Sequence, residues 1–277
     1  MPFLIFQHGR VDFAMKDMPV SYSRLLNRLE RQEVRLLRGG FSWPPIQSGL
    51  EEKIPPKVRQ TLEAAFYKAF QTVFGPGGVK LVEKTIPVER LNLEQRLWEK
   101  ELTPKEERAI LRQMERGRRK GQIGEVFAAG TEGAALGLLG VGLPDIPVFL
   151  ALLLRSLYQS ACRYGFSYES DEERTYVLLL LQGALAQGEE RRSLSLRADQ
   201  LGRALDHGWP ASVNLEEETR AAASLLAQKL LAVKFVQGLP VVGVVGGAAN
   251  FSVAGRVSQW GGLKYKKRFL ERKVRGL

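Results

Sequence analysis

Polar and apolar positions along this chain recur at helical spacing, and no alternating run is long enough to predict a strand. In SYSRLLNRLERQEVRLLRGG the arginines fall at 24, 28, 31, 35 and 38, which places them on one side of a helix over about 20–38. Tyr22, Leu25, Leu26, Leu29, Leu36 and Leu37 take the opposite side, with Glu33 set among them. Three capping boxes mark further helix starts. They are Thr103 with Glu106 and Pro104 at the first helical position, Ser170 with Glu173, and Asn214 with Glu217. The last of these helices closes at Gly238, with Pro240 beyond it. Other helices are expected at about 57–74, 92–101, 122–141, 145–164, 194–206 and 240–272. Residues 39–56 carry Gly, Pro and Ser throughout and predict an irregular segment. The pattern predicts an all-α multi-helix bundle, with an N-terminal extension over 1–55 and a helical domain over 56–277.

Two apolar stretches are rich in glycine. Residues 130–156, GTEGAALGLLGVGLPDIPVFLALLLRS, exceed the ~20 residues that cross a bilayer. Pro144 and Pro147 flank Asp145, however, and an aspartate at bilayer depth costs ~2.5 to 3.5 kcal/mol on insertion scales. The stretch therefore reads as two helices joined at a turn, the second capped by Asp145 with Pro147 in its first turn. Ala129, Gly133, Gly137 and Gly140 allow close approach of a neighbour, as do Gly243 and Gly247 in residues 238–255. These segments are expected to pack as a central glycine-rich pair, with Asn250 near Glu132 or Asp145, because buried polar groups need partners. Insertion of the two hairpins into a bilayer is a third, weaker alternative.

Charge narrows the choice of partner. Forty-one Lys and Arg against thirty Asp and Glu give a net charge of +11, which favours anionic surfaces. The arginine face of residues 20–38 reads either as a lipid-contacting surface or as the solvated side of a core helix. The basic patch at Arg108, Arg112, Arg116, Arg118, Arg119 and Lys120 closes a helix, where the dipole favours cations. Lys264, Lys266, Lys267, Arg268 and Arg272, interleaved with Tyr265 and Phe269, form a basic tail suited to lipid headgroups. No nucleic-acid-binding signature accompanies it, so specific nucleic-acid recognition is not expected. Phe3 to Phe6 is shorter than a signal-peptide core and lacks a basic leader, so a cytoplasmic chain at the inner membrane face is expected.

Catalytic chemistry has few candidates. One cysteine, Cys162, and two histidines, His8 and His207, make a metal site unpromising, and no cofactor motif is present. The carboxylates Glu125, Glu132 and Asp145 facing Arg155 or Arg256 read in two ways. They are either a polar core cluster that sets helix register or the acidic centre of a hydrolase acting in an apolar cleft between 130–156 and 238–255.

Two stretches together resemble the EcsC family of bacterial proteins. One is the glycine repeat followed by PDIPVFLALLLRSLYQSACRYGFSYESDEERTYVLLLL; the other is LPVVGVVGGAANFSVAGRVSQWGGLKYKKRFLERK. Phe166 departs from the acidic or aromatic-acidic pair expected after that glycine, and residues 190–212 do not align. The resemblance, over about 56–273, implies a link to an ABC-transporter operon and to secretion, and brings no catalytic residue with it. An accessory protein on anionic lipid, or on a membrane complex such as an ABC transporter, is the expectation it supports.

Overall fold

The computed structural model describes residues 20–39, 55–75, 146–236 and 244–276. These form α1 (Val20–Gly39), α2 (Pro56–Phe74), α3 (Ile146–Arg163), α4 (Asp171–Leu185), α5 (Gly188–Asp206), α6 (Leu215–Val236) and α7 (Val244–Arg275). Among the described residues there is no strand, so the all-α bundle is observed. Two of the expected helix starts are resolved at atomic detail. The Glu173 N–H donates to Ser170 Oγ at 3.2 Å and the Glu217 N–H to Asn214 Oδ1 at 3.1 Å. α5 begins at Gly188 rather than at 194, with Glu189 and Glu190 favoured in its first turn by the helix dipole.

α4 and α7 form the interior. From Thr175 to Leu185 every residue of α4 is buried, and α7 is buried on all sides from Trp260 to Lys266. A helix buried all round is a core helix rather than a surface one. α7 packs against α3, α4, α1 and α5; α4 packs against α5, α6 and α3 as well; α2 lies on α6 and α3. α1 turns Tyr22, Leu29 and Leu36 into this core, as its amphipathic pattern requires.

Two helix ends share one backbone device. At α3, the Phe166 N–H donates to Ala161 O and the Gly165 N–H to Cys162 O, with Gly165 at φ 74. At α5, the Trp209 N–H donates to Ala204 O and the Gly208 N–H to Leu205 O, with Gly208 at φ 64. Both are Schellman motifs, in which glycine accepts the left-handed turn and the following residue is held in a defined place.

Small residues bring core helices together, though not only where the glycine-rich segments suggest. A Cβ at Gly261 would stand 2.3 Å from Leu157 of α3, and one at Gly183 of α4 would stand 2.8 Å from Trp260 Nε1. The pairing expected between 130–156 and 238–255 falls partly outside the described residues, with Gly133, Gly137 and Gly140 all outside them. So do the Thr103 box, the helix at 92–101, the 39–56 segment and the Gly238 stop. Among the described residues no helix is long and apolar enough to cross a membrane.

Trp260 is a rigid ring buried on every side, so Gly183→Val must displace it or α4. The expected loss is about 2–3 kcal/mol, measured as a lower urea midpoint with an unchanged slope.

Candidate functional site

The polar residues of the interior gather around α7. Lys264, only 1% exposed, donates through Nζ to Glu33 Oε1 at 2.7 Å, to Ser195 Oγ at 3.0 Å and to Asp199 Oδ1. Lys267 Nζ donates to Glu33 Oε2 at 2.7 Å and Asp199 Oδ2 at 2.8 Å. The Ser195 hydroxyl donates to Glu33 Oε1 at 2.8 Å. Both oxygens of the Glu33 carboxylate are thus received by donors from α5 and α7. Burial alone would raise the pKa of Glu33, but the two ammonium groups and their hydrogen bonds outweigh it and lower it to about 2. The pKa of Lys267 moves the other way: burial lowers it, and Asp199 and Glu33 outweigh that and raise it.

One turn further along α7, Arg268 forms a two-pronged bond to Glu173, Nη1 to Oε2 at 2.9 Å and Nη2 to Oε1 at 2.8 Å. Its Nε reaches Asp206 Oδ1 at 3.0 Å, and its guanidinium carbon lies 4.3 Å from the Phe166 ring centroid and 4.7 Å from that of Tyr176. The Glu173 carboxylate therefore leaves the capping box half made and serves α7 instead. Arg191 ties the ends of α1 and α4 together, with Nη1 on Leu36 O at 3.1 Å and Nε on Gly183 O at 3.0 Å. Burial, with Arg256 nearby, lowers its pKa. Gln182 Nε2 donates to Glu218 Oε1 at 2.6 Å, and Arg197 pairs with the same carboxylate.

This geometry corrects the tail assignment. Lys264, Lys266, Lys267 and Arg268 were expected to face lipid, yet Lys264, Lys266 and Arg268 are buried and Lys264, Lys267 and Arg268 are engaged by carboxylates. Arg272 is half-buried with its guanidinium over Phe166 at 5.4 Å. Charged residues enter a core only when paired, and the partners come from elements far away in sequence. The available signals were Glu33 on an apolar helix face and the apolar spacing of Val253, Val257, Trp260 and Phe269. On α1 the expected arrangement is seen: Arg24, Arg28, Arg31, Arg35 and Arg38 are all exposed.

The remaining candidates are only partly placed. Arg155 is half-buried on α3 and Arg256 is buried on α7. Glu125, Glu132 and Asp145 lie outside the described residues, as does the side chain of Asn250, and α3 begins at Ile146. Among the described residues there is no His, Cys, Asp and Glu cluster able to hold a metal ion. The Ser195–Lys264 contact is not arranged as a nucleophile–base pair. The ammonium donates to two carboxylates, the hydroxyl donates to Glu33, and Ser195 is closed from solvent.

The fold and site therefore define a helical bundle organised around a buried ionic network. The EcsC protein family matches residues 41–270, and the chain belongs to that family. It is similar to Protein EcsC of Bacillus subtilis (strain 168), 23% identical over 77% of this chain and 80% of the relative. It is also similar to Uncharacterized protein YdbA of the same strain, 31% identical over 52% of this chain and 54% of the relative. The second alignment thus spans about half of that relative's length. No solved structure matches the chain. α1, which supplies Glu33, lies before the matched residues.

Removing Glu33 leaves Lys264 and Lys267 sharing the single carboxylate of Asp199. Glu33→Ala is expected to cost about 3–5 kcal/mol in chemical unfolding. The low folded-state pKa also makes the contribution pH-dependent. It is fully present above the ordinary value of 4.5 and fades as pH falls toward about 2. The stability gap between the wild type and Glu33→Gln should narrow across that window.

Proposed function

We propose that the protein works by association, docking peripherally on an anionic membrane surface through the cationic face of α1. One observation carries this reading: Arg24, Arg28, Arg31, Arg35 and Arg38 are exposed while the opposite side of α1 is pinned to α5 and α7 by Leu29, Leu36 and Glu33. The helix does not need to release its apolar side to present its charges. Arg31 Nε and Arg35 Nε donate to the helix carbonyls of Asn27 and Arg31, contacts that leave their charges unneutralised. Juxtamembrane cations contribute about 1 kcal/mol each at an anionic surface. Glu30, also exposed on α1, subtracts from that total. The acidic residues proposed for hydrolase chemistry carry no part of this reading, since they lie outside the described residues.

Vesicle flotation tests it. The full chain is expected to float with phosphatidylcholine vesicles containing phosphatidylglycerol, not with phosphatidylcholine alone, and to be released by ~1 M salt, where screening falls to ~3 Å. Exchange of all five arginines for glutamine should abolish flotation. Binding that ignores lipid charge, or no binding at low salt, would overturn the proposal; the second result would favour a membrane protein complex as the acceptor.

A further inference from the structure

The two Schellman motifs present their aromatic residues differently. Phe166, after Gly165, is 6% exposed and packs against Tyr265 and Arg268. Trp209, after Gly208, occupies the equivalent place and is 58% exposed. The usual companion of this motif is an apolar contact back onto the helix. Trp209 instead stacks on the His207 ring at 4.3 Å, with the planes 10° apart, and Arg275 reaches His207 Nε2 at 3.3 Å. An indole held in place by two backbone hydrogen bonds, yet left in solvent, has its ordering cost already met by the fold.

The ionic network fixes which charges surround it. Along α5, Ser195 and Asp199 meet Lys264, Asp206 meets Arg268, and His207 meets Arg275, so α5 and α7 run parallel. Leu36 meets Arg191 while Glu33 meets Ser195, so α1 runs the opposite way. From Glu33 back to Arg24, and from Lys267 on to Arg275, the helices each advance about 12–14 Å at ~1.5 Å per residue. Arg24 and Arg28 therefore share one end of the bundle with Lys273, Arg275 and Trp209, and all five are exposed. Asp171 and Glu172, at the start of α4, also reach this end; Asp171 faces Arg174 at 3.7 Å.

We infer that this end is the docking surface, with Trp209 seated at the headgroup level of an anionic bilayer and Arg24, Arg28, Lys273 and Arg275 against its phosphates. Tryptophan prefers that interface because its ring is apolar and its N–H is polar. The inference rests on the peripheral-docking reading above and narrows its contact from the whole arginine face to the start of α1: Arg24 and Arg28 face the bilayer and Arg38 stands farthest from it.

Flotation on phosphatidylcholine–phosphatidylglycerol vesicles, with the full chain, separates the two. Trp209→Ala is expected to weaken partitioning about tenfold, with unchanged circular dichroism and melting, because the backbone motif remains. Arg24→Gln with Arg28→Gln should weaken it about fivefold per charge, whereas Arg35→Gln with Arg38→Gln should change it little. Brominated lipid should quench emission in the wild type and quench it less in Trp209→Phe. If the wild type floats and Trp209→Ala floats equally, the orientation is wrong and peripheral docking stands. If the wild type does not float, both fall.

Discussion

The contact on which the rest depends is Glu33 with Lys264. A lysine at the middle of a helix buried on all sides is tolerable only if its charge is met, and one of the two carboxylates that meet it comes from a helix at the other end of the chain. The pair brings α1 onto α7, aligns Ser195 and Asp199 of α5 beside them, and sets the level at which the three helices cross. A buried ionic network of this kind adds little net stability over an apolar core. Its effect is selective, because any other register of α1 would bury Glu33 without a counter-charge and leave Lys264 and Lys267 to share Asp199 alone.

That constraint divides the basic residues into two populations. Lys264, Lys267 and Arg268 of α7 neutralise Glu33, Asp199, Glu173 and Asp206 inside the protein. Those of α1 point outward, because Glu33 and the leucines hold the opposite side inward. A net charge of +11 therefore understates how the charge is distributed. Among the described residues, exposed cations include the five arginines of α1 and, where α7 stops, Lys273 and Arg275.

Local signals in the chain were legible where local physics governs. Ser170 and Asn214 cap the helices that their spacing indicated, and the bounds of α1, α2 and α3 follow the apolar periodicity closely. The start of α5 was missed because Gly188, Glu189 and Glu190 carry no apolar repeat; the dipole, not burial, favours them. The role of Glu173 was half legible, since its N–H belongs to the cap while its carboxylate answers to Arg268.

By itself, the sequence determined the helical class, the capped helix starts and the arginine stripe of α1, since each follows from spacing within a few residues. Only the tertiary structure decided that the KYKKR segment is interior and that Trp209 stands exposed. Those outcomes depend on which distant carboxylate or ring meets each side chain, and a local pattern of charge is the same whether its partner is water or Glu33.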